Sequence, residues 1–402
     1  MATRLITFLG RVPKNETGYR KTHYDFGDGR KYPPSAFFGW TLLEHRRPDA
    51  MVILGTTGSM WDHLFEQDLT FGAQFEEERM ALLEAVERNS VTSDLLEPLE
   101  PALSEYLGLP VHLQLIPYCH TPAEQVDLLR ILAEHVASGD SVDLDVTHGF
   151  RHLPMLGLLS ALHLRRVRDA RIRHIWYGAF NQDTGEAPVH DLSGLLEIAD
   201  WVEAIAVYDH DGDYGVFSPL LKGELGEHLA EADFLESVNR IGNARSHLRK
   251  VLQGIDDSQE TAAAPFALFR EELKSRLVWA EGQRFYERQR NLAHQYLKHG
   301  RYSEAILTGH EAFVTRLLQE RDRSLDPDNY EHRLRVSEAF EDRERQQNPR
   351  SELYRAYDRL RRLRNTVAHG SHPKGAEVQR ALSGHKAMHD FLATIFATLL
   401  PE

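Results

Sequence analysis

The chain reads as an α/β Rossmann-like N-terminal domain followed by an all-α C-terminal domain. Three observations predict this. Five apolar or alternating segments are spread through the first 180 residues, and most stop at a glycine or a small polar turn. Amphipathic stretches of helical period lie between them. Beyond about residue 190 the strand signals fade and helical periodicity takes over. Strands alternating with helices of this length form a parallel sheet with helices on both faces.

In order, LITFLG (5–10) and MVILG (51–55) are apolar runs ending on glycine. VHLQLIPY (111–118) and SVDLDVT (141–147) alternate, and RIRHIWYGA (171–179) is β-branched and aromatic. The helical stretches between them are SAFFGWTLLEHR, EEERMALLEAVERN, PAEQVDLLRILAEHVASG and LPMLGLLSALHLRRVRD. DLSGLLEIADWVEAIAVYDH then reads as an amphipathic helix, with Leu195, Ile198, Trp201, Ile205 and Val207 among its apolar positions. The remainder is helical, with breaks at GIDDSQETAAAPF, near Asp326-Pro327 and at QQNPR. The expected domains are a Rossmann-like domain over 1–190, a helical connector over 191–275 and a helical domain over 276–402.

Composition narrows the class. No apolar run approaches the roughly 18–20 residues that span a bilayer, and MATRLITFLG enters a strand without a signal-peptide pattern. Cys119 is the single cysteine, which leaves neither a disulfide framework nor a cysteine-based zinc site. These features predict a cytoplasmic protein with no membrane partner. The net charge of −14 argues against a surface coated in nucleic acid, but it leaves room for a local basic groove. The acidic DHDGDYG (209–215) is read as a turn, because its glycine falls too early for a calcium loop.

In doubly wound sheets, ligands bind beyond the carboxyl ends of the strands. Three loops there carry useful chemistry. GTTGSMW (55–61) offers backbone amides with the hydroxyls of Thr56, Thr57 and Ser59, around Gly58 and before Met60, which suits a phosphate. It has neither a P-loop ending nor a dinucleotide fingerprint. THGFR (147–151) gathers His148, Gly149, Phe150 and Arg151, which suits base stacking and phosphate contact. WYGAFN (176–181) adds Gly178 among aromatics, and Gly10 closes the first strand. These residues form the candidate ligand-binding set, with a nucleotide the expected ligand.

Residues 355–364 hold five arginines and one acid, Asp358, a local charge of +4 in an acidic chain. Leu353, Tyr357, Leu360, Leu363 and Val367 form the buried stripe of a helix. Arg355, Arg359 and Arg362 share another face, read as solvated and able to attract RNA. The stretch ends RNTVAHG, with Gly370 and Pro373 stopping the helix just after His369. Arginine five residues before histidine occurs three times, from Arg130, Arg364 and Arg380. About two such pairs are expected by chance, so spacing alone carries little. Only Arg364 has Asn365 beside it, follows the arginine cluster and leads to a histidine at a helix stop. RNA cleavage through the 2′-OH needs a base, a cation for the phosphorane and an acid for the 5′-oxygen, and histidine and arginine can supply all three without a metal.

RNTVAH (364–369) resembles the R-x4-6-H motif of HEPN ribonucleases. DVTHGFRHLP (145–154), YGAF (177–180), FLG and LGTTGSMW resemble the CARF domain of the type III CRISPR accessory ribonucleases. The resemblance runs from about residue 3 to 210 and over the last hundred residues. It implies an endoribonuclease that cleaves single-stranded RNA, activated by cyclic tetra- or hexa-adenylate bound across a CARF homodimer, with no required cofactor or metal. On that resemblance Arg364 and His369 are catalytic and Asn365 supports them. RNLAH (290–294) is a near-twin with one residue fewer, read as packing. Two other readings stand beside this one: a non-catalytic nucleotide sensor whose helical domain binds RNA or a protein, and an enzyme that also degrades its cyclic ligand.

Overall fold

A computed structural model describes residues 2–15, 18–66, 72–149, 153–257, 264–373 and 375–401. The chain divides into two compact units, Met1–Glu197 and Ile198–Glu402. No helix among the described residues is long and apolar enough to cross a membrane.

The first unit is built on a seven-stranded sheet. Its strands are β1 (Thr3–Leu9), β4 (His23–Asp25), β5 (Ala50–Gly55), β6 (Val111–Leu115), β7 (Ser141–Asp145), β8 (Arg171–Gly178) and β9 (Glu186–Asp191); β2 (Lys14–Asn15) and β3 (Gly18–Tyr19) pair as a separate small hairpin. The order is β4-β9-β8-β7-β1-β5-β6. All pairs are parallel except β8 with β9. All five expected strands and the helices between them are present. The short edge strands β4 (HYD) and β9 (EAPVHD) carry no periodic apolar signal, and only pairing makes them strands.

Alternation along β1 and β5 feeds two cores. Leu5, Leu9, Met51 and Ile53 pack with Phe37, Phe38, Trp61 and Leu82 on one face. Ile6, Phe8, Val52 and Leu54 pack with Leu128, Leu132, Leu156 and Leu164 on the other. Both faces being covered explains why β5 is apolar along nearly its whole length. Local signals start the helices. Thr121 accepts from Glu124 N at 3.3 Å ahead of Pro122, capping the 122–134 helix.

The second unit is all helical. Residues expected as a separate connector share one core with the C-terminal helices: Trp201, Phe217, Leu248 and Ile255 belong to the same cluster as Leu292, Phe313, Tyr357 and Phe396. The expected boundary at 275/276 therefore divides no core. Amphipathic helices need a partner for each apolar stripe, and the 241–257 helix packs on the preceding 224–237 helix while its apolar face joins the core of the downstream helices. The Glu352–His369 helix is capped by Ser351, whose hydroxyl accepts from Tyr354 N at 3.1 Å. It is closed by Gly370 at φ +58°.

A carboxyl sits inside this helical core. Glu236 is buried and accepts from the Tyr296 hydroxyl at 2.5 Å. Burial pushes its carboxyl up to about 7, against the lowering effect of that hydrogen bond. A carboxyl raised on folding holds its proton longer in the native state, so its contribution to stability declines as pH rises from about 4.5 through about 7. Glu236→Gln is therefore expected to raise the melting temperature at pH 8 by about a few degrees and to leave it nearly unchanged at pH 5, as read by thermal denaturation at the two pH values.

Candidate functional site

Strand order reverses between β1 and β7: β5 and β6 extend the sheet to one side of β1, and β7 and β8 to the other. The loops after these strands meet at the reversal. A Cβ on Gly10 would lie 2.7 Å from Gly149 N, and Gly149 has φ +117°. Glycine at both places lets the two backbones touch. Beside them opens a cleft of about 260 Å³ whose lining includes Gly10, Arg11, Thr56, Gly58, Ser59, Asn89, Tyr118 and Gly149. It lies at the carboxyl ends of the strands, where open α/β sheets take their ligands.

The 56–61 loop is held by its own bonds. Thr56 N donates to Ser59 Oγ at 2.9 Å, Ser59 N to Thr56 O at 3.1 Å, and Met60 N to Gly10 O at 2.9 Å. Trp61 Nε1 donates to Thr56 O at 2.8 Å. The amides of Thr57 and Gly58 take no part in these bonds, which leaves them as donors for an anion. The Thr57 hydroxyl lies 3.1 Å from the Tyr118 hydroxyl. Asn89 Oδ1 stands against the place a Cβ on Gly58 would take, so any side chain there would displace it.

Other expected ligand contacts sit differently. Met60 is fully buried in the core. The His148 ring does not line the cleft: its Nε2 accepts from Phe38 N at 3.1 Å and lies 3.3 Å from the Tyr24 hydroxyl. Burial, reinforced by His63, lowers its pKa to about 4, so it is a neutral acceptor. Gly178 makes room for the Tyr24 ring, which a Cβ would approach to 2.8 Å, and its N–H donates to Thr147 Oγ1 at 2.8 Å. Phe150 and Arg151 lie outside the described residues. Arg11, Asn89 and Tyr118 were not among the expected contacts. Only Tyr118 carried a signal, an aromatic at a strand end. Asn89, at φ +52°, is a helix-stop residue brought to the cleft by the fold.

Residues 4–181 match the family described as "CRISPR system endoribonuclease Csx1, CARF domain". The matched residues fall within the first unit. The CRISPR-associated protein MJ1674 of Methanocaldococcus jannaschii is 24% identical over 264 residues, 60% of this chain and 42% of that protein. The chain thus spans less than half the length of the curated relative it matches. The CARF match ends before the helical unit, which has to be read from its own residues.

There the Arg–His pairs separate by what they touch. In RNLAH, Arg290 Nη1 donates to Pro401 O at 2.8 Å and His294 Nε2 to Leu400 O at 3.0 Å, so both hold the C-terminal segment. Arg130 pairs with Glu134 at 2.6 Å, and His135 Nε2 lies 3.2 Å from Gln114 Oε1. The His385 ring packs edge-on against Tyr302. In RNTVAH, Arg364 Nη1 donates to Asn365 Oδ1 at 3.1 Å. Its Nε is buried without a hydrogen-bond partner among the described residues. The Arg364 charge also acts on Glu311. Burial opposes ionisation of Glu311, but the hydrogen bond from His310 and the charges of Arg333, His310 and Arg364 outweigh it and bring the carboxyl down to about 2. Asn365 and His369 are exposed, and His369 forms the last turn of its helix.

Five residues of helix turn the chain through about 500°, so Arg364 and His369 point about 140° apart. Arg364 lies on the side facing the 302–321 helix; His369 lies on the open side with Arg355, Arg359 and Arg362. The two side chains therefore leave the helix on different faces.

Anchoring and free pairs should differ in stability. Arg290→Ala/His294→Ala is expected to cost about 1–3 kcal/mol in chemical denaturation, since two carbonyls near the chain end are left without their donors. His369→Ala, at an exposed position, is expected to cost less than about 0.5 kcal/mol.

Proposed function

We propose that this chain is a CRISPR-associated endoribonuclease. Its CARF domain binds a cyclic oligoadenylate, of four or six adenylates, and its helical unit cleaves single-stranded RNA as a HEPN-type nuclease over residues 276–402. The observation that carries this reading is the RNTVAH helix. It holds the one arginine–histidine pair at this spacing with an asparagine beside the arginine and an exposed histidine closing the helix.

The geometry supports a composite site made by two copies. Arg364 and His369 diverge on one helix, so a two-fold axis beside it would bring a second Arg364 and His369 to complete the set. The CARF domain also presents an apolar face for pairing. Met155 and Leu159 are 73% and 54% exposed on one helix, and Val126 is 67% exposed on the helix packed beside it. Exposed apolar clusters of this kind mark association surfaces.

In the mechanism, the RNA 2′-oxygen attacks the adjacent phosphorus while the bond to the 5′-oxygen breaks. One His369 takes the 2′-OH proton, and a protonated donor, the second His369 of the pair, gives a proton to the leaving 5′-oxygen. Arg364 offsets the charge on the phosphorane, and Asn365, bonded to it, fixes the guanidinium. The products are a 2′,3′-cyclic phosphate and a 5′-hydroxyl. The cleft provides amides and hydroxyls for a phosphate, with the Tyr118 ring beside it for a base. The engagement of His148 Nε2 with Phe38 N weighs against that histidine acting as the base in breakdown of the messenger.

The test is cleavage of a labelled single-stranded RNA in EDTA, with and without cyclic tetra- or hexa-adenylate. Ligand-stimulated cleavage giving cyclic phosphate ends is expected, and Arg364→Ala or His369→Ala should each lower it by at least about 10²-fold. Full activity in those variants, or an absolute metal requirement, would remove the mechanism. Ligand-dependent RNA retention without cleavage would favour the non-catalytic sensor.

A further inference from the structure

We propose that the groove between the 352–369 helix and residues 375–378 is a track for the phosphodiester backbone of single-stranded RNA, leading the strand to His369. The role of the track in cleavage rests on the ribonuclease reading above; its binding of RNA does not. The groove encloses about 370 Å³, and four arginines line it: Arg350, Arg355, Arg359 and Arg362. Asp358 and Glu377 are the acids in its wall, leaving a net charge of about +2. In a chain of net charge −14, such a concentration is a local attractor for a polyanion.

Helix geometry gives the track its direction. Arg355, Arg362 and His369 are spaced seven residues apart, so each lies within about 20° of the last around the helix and about 10 Å further along it. Arg359 sits beside that line. Arg364 is on the opposite side. The arginines that line the groove therefore form one stripe with the exposed histidine, and the solvated face expected from the charge run has an end point.

Their engagements leave the guanidinium groups available. Arg355 is exposed and makes no side-chain hydrogen bond or ion pair among the described residues. Arg350 lies over the Tyr354 ring, 5.2 Å from its centroid, which orients it without consuming its donors. Arg359 Nε pairs with Glu377 and Arg362 Nη2 with Asp358, each at 2.7 Å, with both arginine side chains at least 40% exposed. Glu377 is held at two points, Arg359 Nη2 also donating to its Oε1 at 3.0 Å, and Asp358 is shared with Arg361, so a phosphate is met by the remaining N–H donors of these exposed guanidinium groups. The planar guanidinium offers paired donors that match a phosphate.

The test uses the full-length protein and fluorescence anisotropy with a single-stranded RNA methylated at every 2′-hydroxyl, which can bind but has no nucleophile. Arg355→Ala/Arg359→Ala is expected to bind about tenfold more weakly, with a slope of log K against log salt shallower by about 1.4, or about 0.7 for each phosphate left unneutralised. Arg335→Ala, an exposed arginine on the 330–345 helix, should bind as the unaltered protein does. Should the double variant melt early, the single reversal Arg355→Glu, at an exposed side chain, is expected to give the same direction of change. Unchanged affinity and salt slope in a folded variant would overturn the proposal, even if the protein cleaves ordinary RNA. Weakened binding in a protein that cleaves no RNA would instead keep the track and remove the ribonuclease reading.

Discussion

Two backbones touch where the sheet changes direction, and much of the first unit is organised around that contact. Gly10 follows β1, Gly149 lies in the loop after β7, and no side chain at Gly10 fits between them. Met60 N reaches back to Gly10 O, so the third loop is tied to the same point. A side chain at Gly10 would part the loops and with them the walls of the cleft, and Gly149 holds a φ of +117° that favours glycine. The sheet order, the glycine contact and the cleft are one feature seen at three scales.

A different constraint governs the helical unit: an α-helix turns about 100° per residue, whatever the residues are asked to do. That arithmetic divides the 352–369 helix. Leu360, Leu363 and Tyr357 face the core, and Arg364 lies beside them, near enough to Glu311 to help keep it ionised. Arg355, Arg359, Arg362 and His369 face out. The motif read as one unit in the sequence is thus shared between an inner and an outer face.

Near-twins in sequence take opposite roles for the same reason. RNLAH places Arg290 and His294 four residues apart, on one face, and that face meets carbonyls at the C-terminal end of the chain. RNTVAH adds one residue and sends its histidine to the surface. An inserted residue on a helix rotates everything after it by about 100°. A pair anchored to backbone carbonyls and a pair ending on an exposed histidine differ by that rotation.

Strand and helix periodicity, glycine-ended strands and the helix stop after His369 were legible in the sequence because they are local: each depends on neighbours within a few residues. So was the concentration of charge at 355–364. Tertiary structure alone decided the rest. It made strands of HYD and EAPVHD, because edge pairing needs no apolar pattern. It carried Asn89 and Tyr118 to the cleft from unrelated segments, and turned His148 toward Phe38 N, since a ring's partner is chosen by what the fold places beside it. It joined the 191–275 helices to the C-terminal core, because an amphipathic stripe specifies that it must be covered and says nothing of what covers it.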